Sequence, residues 1–269
     1  MNDEGLEELV REAQGGEARA LEDVVRAVQD EVFTLALRML GHPDDAREAT
    51  QEVLIRIVTK LSTFRGESSF RTWVYRVTSH GILNFRSGLR LPERSFGETG
   101  AQLDAALERY EAQPPAEPDR AALVNEAKLM CTQAMLLCLD RRHRLAYVLG
   151  EVLDLAGNDA AAILEISPAA FRKRLSRARE DMAAFLRRQC GLADPANRCR
   201  CAKLVPAAVE AGVVESDRLV LGSLKTKRAD QLRLDLERMR TAAEVFRSLP
   251  TYAAPEDFAA RVRGWLTDS

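Results

Sequence analysis

Two segments of this chain carry side chains suited to nucleic-acid chemistry, and a third carries thiols. Between residues 64 and 90, Phe64, Phe70, Trp73 and Tyr75 interleave with Arg65, Arg71, Arg76, Arg86 and Arg90. Rings stack on unpaired bases and guanidinium groups hold phosphates, the combination that a separated DNA strand requires. Phe70 and Trp73 share a helical face with Val74 and Val77 and are assigned to core packing. That leaves Arg71, Tyr75 and Arg76 as contact candidates. Further on, Ser167-Pro168 opens a helix by pairing a capping hydroxyl with a proline where no N–H is needed. Its Phe171, Leu175 and Ala178 face inward; Arg172, Lys173, Arg174, Ser176, Arg177 and Arg179 face outward. A basic helix behind a turn fits the major groove, where Arg reads guanine. A merely solvated basic helix is the weaker reading, because a cap, a turn and a short helix precede it.

Cys190, Cys199 and Cys201 lie in the segment CGLADPANRCRC. Three thiols there could bind zinc, but tetrahedral closure needs a fourth ligand and no His is near. Cys131, Cys138 or His143 would have to fold back to supply it. Cys131 and Cys138, seven apart on one helical face, read as small core residues. A metal or redox role therefore stands beside a structural one, with Arg198 and Arg200 favouring a thiolate. No nucleophile, acid–base pair or phosphate loop appears, so the chain reads as non-enzymatic and in need of no cofactor.

These groups must be positioned by helices. Ala, Leu, Arg and Glu dominate and β-branched alternation is scarce, which predicts an all-α fold. With 269 residues there is room for two or three small domains. The net charge of −2 means that any DNA contact comes from local patches. No apolar run approaches a membrane span and the acidic N-terminus lacks a signal core, so a cytoplasmic protein without membrane insertion is expected. The cysteine count is 5, and a cytosolic setting, being reducing, argues against structural disulfides.

Leu21, Val25, Val28, Val32, Ala36 and Met39 form one helical stripe. Gly41-His42-Pro43 stops it, and an Asp is expected to cap a second helix burying Ala46, Ala49, Val53, Ile57 and Leu61. On the opposite side of that helix lie Asp45, Glu48, Gln51 and Glu52 with Ile55, either a solvated face or a protein interface with an apolar centre. The pattern dissolves between Leu91 and Arg120, where Gln113-Pro114-Pro115 marks a linker with a short helix near 103–111. Helical signal resumes from Ala121 to about Gly191. The remainder opens at Asp194-Pro195, shows Leu232, Leu236, Met239, Ala243 and Phe246 at heptad-like spacing, and closes on Phe258, Val262 and Trp265. The expected division is 1–90, linker 91–120, 121–190, and a Cys-containing helical extension 191–269, with few contacts across Asp194-Pro195.

FRGESSFRTWVYRV and EISPAAFRKRLSRARE, in this order, resemble bacterial RNA polymerase sigma factors of the sigma-70 family, extracytoplasmic-function group, over roughly residues 18 to 190. The resemblance implies a region 2-like bundle that binds core RNA polymerase and holds the opened minus-10 strand, and a region 4-like helix-turn-helix that reads the minus-35 duplex of promoter DNA. DDAREATQEVLIRI (Asp44 to Ile57) looks like the family's polymerase-docking stretch, which implies a docking role for Asp45, Glu48, Gln51, Glu52 and Ile55; Glu48 stands where Asp is usual. His80 replaces the usual Asn of the base-reading segment and, with Ser79 and Asn84, is the base-reading choice. LDRRHRLAYVLGEVLDLAGNDAAAILEIS looks like the two helices before the recognition helix, but Glu165 replaces the Gly usual at the turn and Ala160, Ala161 and Ala162 fill the first helix thinly. An anti-sigma regulator is a further partner the resemblance brings in, and the extension is either regulatory or an added contact. Two rivals remain: a stand-alone helix-turn-helix regulator, and a thiol- or zinc-based sensor with the helical domains as its output.

Overall fold

A computed structural model describes residues 2–85, 94–110, 121–214, 219–225, 242–247, 249–262 and 264. The described residues form α-helices joined by turns, with a single β-bridge between Cys190 and Cys199. In chain order the helices are α1 (Asp3–Gln14), α2 (Ala18–Leu40), α3 (Pro43–Lys60), α4 (Phe70–Asn84), α5 (Phe96–Tyr110), α6 (Ala121–Leu137), α7 (Arg141–Tyr147), α8 (Gly157–Ile163), α9 (Pro168–Gln189), α10 (Cys201–Glu210) and α11 (Ala242–Arg247). A π-helical turn, Val148–Val152, prolongs α7, and a 3-10 turn spans Phe258–Arg261.

α2 is the axis of the molecule. The expected stripe of Leu21, Val25, Val28, Val32, Ala36 and Met39 is buried, but so are Val24, Phe33, Leu35, Leu37 and Leu40 on its other sides. Even Gln29, Asp30, Thr34 and Arg38 are buried, so this helix has no broad solvent face. The expectation of a one-faced amphipathic helix is corrected accordingly. α1, which sequence periodicity did not reveal, covers one flank through Leu6 and Val10. Gly41 ends α2 at φ 83, a left-handed position that favours glycine. The next cap is His42, whose Nδ1 accepts from Asp44 N–H, with Pro43 at the first helical position; no Asp serves as cap.

The stretch expected as a linker contains α5, longer than the short helix foreseen and packed on α9 and α10 through Leu103 and Leu107. Its Phe96 ring lies 5.2 Å from that of Phe185. Gln113, Pro114 and Pro115 lie outside the described residues.

The extension is not set apart at Asp194-Pro195. α10 packs on α6 through Leu204 and Val205. The buried Glu126 carboxylate accepts from Val220, Leu221 and Gly222 N–H at 2.8, 2.7 and 2.6 Å. Phe246 meets Tyr147 edge to face at 5.3 Å. The segment 249–262 then runs along α2. Thr34 Oγ1 bonds both the N–H and the carbonyl of Tyr252 at 3.1 Å. Arg38 donates to Pro250 O at 2.9 Å and its guanidinium sits 5.3 Å from the Tyr252 ring. Asp30 accepts from Ala254 N–H and Gln29 from Phe258 N–H. The buried polar stripe of α2 is thus the receptor for the C-terminal segment, and few-contacts-across-the-boundary is corrected: buried polar groups need partners, and these are the partners. Leu232, Leu236, Met239 and Trp265 lie outside the described residues.

Candidate nucleic-acid interface

The loop from α3 to α4 begins with Leu61–Thr63 and ends at Ser69, whose Oγ caps α4 by accepting from Thr72 N–H at 3.2 Å. Phe64, Phe70 and Trp73 form one aromatic cluster, with centroids 5.2 to 5.8 Å apart. Phe70 and Trp73 are buried, in keeping with core packing. Beside them opens a concavity of about 410 Å³ lined by Ser62, Phe64, Arg65, Ser68, Trp73 and Arg76. It has ring edges, hydroxyls and two guanidinium groups at its wall. Sequence reading picked out Arg76 here but missed Ser62 and Ser68; the run of small polar residues between two aromatics was the available signal.

The other α4 candidates divide. Arg71 is engaged by Glu31 and Asp3, its Nε 2.8 Å from Asp3 Oδ1, so it ties α4 to α1 and α2. Ser79 is wholly buried with its hydroxyl unbonded. Tyr75 packs against the core between the modules, and burial raises its phenol above the ordinary value. Ser79 is thereby a correction to the strand-contact set, while Arg71 and Tyr75 are half-buried and engaged within the fold: α4 is covered on two sides, and only part of its surface faces out. His80 and Asn84 are exposed on that part. Arg86 and Arg90 lie outside the described residues.

On α3, Glu48 is exposed, while Gln51, Glu52 and Ile55 are half-buried. Glu52 pairs with Arg56 at 3.1 Å. Asp45 is buried in the first turn and does not belong to the outer face, a correction that follows from its facing α3's own inner side with Ala46 and Ala49. Arg261 donates to Gln51 Oε1 at 3.2 Å, and Arg47 lies 3.5 Å from Glu256. The C-terminal segment therefore borders this face, a contact that no local pattern foretells.

In the second module, α7, α8 and α9 enclose Leu145, Leu149, Ala160, Ala161, Ile163, Phe171, Leu175 and Ala178. Ala160 and Ala161 are inside; Ala162 is exposed. Small residues suit this contact, because Phe171 and Leu175 fill the space and Gly150 could not bear a Cβ without displacing Leu175. The turn between α8 and α9 places Glu165 at φ 53, the left-handed region where glycine is usual. Ser167 Oγ accepts from Ala170 N–H at 3.2 Å to start α9.

Arg172, Lys173 and Arg177 are exposed and Arg174 is half-exposed, with no carboxylate of the described residues in salt-bridge range. Ser176 is turned to Glu180 at 2.9 Å. Arg179 grips Glu151, a buried carboxylate that Arg247 also approaches. It braces the π-helical turn while its side chain stays 54% exposed on α9.

The modules are packed together. Arg144, buried, donates to Leu136, Leu137 and Leu139 carbonyls and to Met39 O of α2. Gln133 Nε2 donates to Arg38 O at 3.0 Å. α4 packs on α8, bringing His80 to Glu165. Among the described residues, no group of three or more His, Cys, Asp or Glu stands ready around an ion, and no helix is long and apolar enough to cross a membrane.

Residues 24–90 match the family model Sigma-70 region 2. The chain is 30% identical over 179 residues to the RNA polymerase sigma-H factor of Pseudomonas aeruginosa, covering 65% of this chain and 90% of that protein. It is 27% identical over 188 residues to the ECF RNA polymerase sigma factor SigE of Mycolicibacterium smegmatis, covering 69% of each. To the ECF RNA polymerase sigma-E factor of Escherichia coli it is 28% identical over 177 residues, covering 64% of this chain and 89% of that protein.

Proposed function

Because this chain belongs to the extracytoplasmic-function group of the sigma-70 family of RNA polymerase sigma factors, it is a transcription initiation factor, and we propose how its surfaces divide that work. The outer face of α3, Glu48, Gln51, Glu52 and Ile55, docks on core RNA polymerase: an apolar centre in a polar rim. The concavity beside Phe64 and Arg76, with exposed His80 and Asn84 further along α4, holds unpaired bases of the opened minus-10 strand. Stacking edges and donors at its wall suit a base taken out of the helix. The start of α9, through Arg172, Lys173, Arg174 and Arg177, reads the minus-35 duplex.

The observation that carries this reading is the sorting of arginines. Arg71 and Arg179 are tied to carboxylates, while Arg172, Arg174 and Arg177 point outward from a capped helix behind a left-handed turn. A stand-alone regulator would leave the α3 face and the α3–α4 concavity without a use. The factor works in the cytoplasm beside its polymerase, needs no cofactor for this role and catalyses no reaction of its own. Because Arg261 and Glu256 border the α3 face, docking disturbs their contacts with Gln51 and Arg47.

Reconstitution of the full chain with core polymerase on matched duplex and pre-melted templates tests the division. Substitutions in the α3 face should abolish activity on both templates, those at the concavity should spare the pre-melted one in part, and those on α9 should matter only where a minus-35 duplex is present. A single common effect of all three sets would refute it.

A further inference from the structure

The loop Cys190–Cys201 is built around its cysteines. Cys190 and Cys199 are bridged side by side, and a Cβ on Gly191 would run into the carbonyl of Cys199 and the guanidinium of Arg200. Only glycine permits this approach. The turn between them is stapled from within: Asn197 Nδ2 donates to Arg187 O and Cys190 O at 2.9 and 3.2 Å, and Arg200 donates to the carbonyls of Pro195, Asn197 and Cys199. The loop closes on α6, where Cys131, Cys190 and Cys201 line one cavity of about 40 Å³ with Leu129, Met135 and Leu249. Cys131 therefore supplies what the loop lacked, a fourth thiol from across the fold. Cys138 points elsewhere, 3.2 Å from Thr99 Oγ1.

We propose that Cys131, Cys190, Cys199 and Cys201 form a tetrathiolate site for a borderline-soft divalent cation, zinc by preference. The ligand type selects it: four sulfurs and no oxygen donor favour zinc over magnesium or calcium. The surroundings favour it too. Cys131 lies near enough to Cys201, Cys199 and Cys190 to interact with all three. Among the described residues no three such groups yet stand around one point, so binding must draw the four sulfurs together. The site closes as a divalent cation binds and each thiol gives its proton to solvent: Zn²⁺ plus four thiols yields a tetrathiolate of charge −2 and four protons. Lys128 and Arg200, both acting to lower the Cys201 thiol, offset that charge. The site would clasp the extension to the first helix of the second module.

The test uses the full chain, reduced and stripped of metal. Cobalt(II) titration should give the visible ligand-field and sulfur-to-metal absorption of a tetrahedral tetrathiolate at one equivalent, bleached by zinc, with proton release in an unbuffered indicator assay. Cys138→Ser should keep the signal. Cys131→Ser should lose it and bind cobalt at least about tenfold more weakly, since outer-shell changes alone cost that much. Should Cys131→Ser not fold, alkylation of the wild type with and without zinc decides: zinc should protect Cys131, Cys190, Cys199 and Cys201 and leave Cys138 reactive. No cobalt spectrum in the wild type, unchanged affinity in a folded Cys131→Ser protein, or protection that omits Cys131 would each overturn the site.

Discussion

His80 and Glu165 face one another across the boundary between the two modules, with Nε2 3.5 Å from Oε2. One is the base-reading candidate of α4; the other is the left-handed turn residue in front of α9. The two elements proposed to meet DNA thus lean on each other in this arrangement, and on that proposal promoter DNA would have to compete with the pair. Glu165→Gln should strengthen binding of a single-stranded minus-10 oligonucleotide several-fold and leave stability within about 1 kcal/mol, as expected for an exposed pair. Equal affinity of the variant and wild type would show that the pair does not restrain His80.

Charge reversal at Glu48 and Glu52 should weaken polymerase binding while the fold persists. Glu52 loses its pair with Arg56, worth about 0.3–0.5 kcal/mol, and Glu48 is solvated. Gel-shift or co-purification with core polymerase measures the first effect and urea unfolding the second.

Arg172→Ala and Arg179→Ala should part company. Loss of Arg172 should cost on the order of 1–3 kcal/mol of affinity for a minus-35 duplex if it reads a base, with little change in stability. Loss of Arg179 strips a partner from buried Glu151 and should lower stability by about 1–3 kcal/mol. Calorimetry beside a panel of minus-35 variants separates the two.

In the metal-free, reduced protein, stability should fall at alkaline pH. The Cys199 and Cys201 thiols sit at about 12 and 11, above an unfolded thiol near ~8.5. The folded state therefore holds these protons more tightly. Its contribution is complete below the unfolded value and is lost as pH rises towards the folded ones. Denaturant midpoints measured between pH 8 and 11 should decline, and Cys199→Ser with Cys201→Ser should flatten the slope.

Much of this was legible because it is local. Ser167-Pro168, the Phe171–Leu175–Ala178 stripe and the α3 interior follow from periodicity and capping chemistry. Glu165 stood out because a glycine position was filled by something else, and the backbone there is left-handed. What escaped was long-range. Asp45, Ser79 and Tyr75 look polar or amphipathic in sequence, yet their burial depends on neighbours from other elements. Cys131 packs against the core as its helical face implies, but its approach to the loop 190–201 depends on α6 meeting that loop. Gln29, Asp30, Thr34 and Arg38 fall outside the apolar stripe, and nothing nearby in sequence announces partners over two hundred residues on, at separations of 212 to 229.

That separation has a consequence for synthesis. The bond from Thr34 to Tyr252 joins positions 218 apart. A ribosome that has finished α2, α3 and α4 has not yet made the residues that satisfy Gln29, Asp30, Thr34 and Arg38. The first module stays incompletely sealed until residues 250–258 have emerged, because closing so long a loop is slow. A message broken off or a polypeptide clipped before Pro250 leaves a defective first module rather than a smaller working factor.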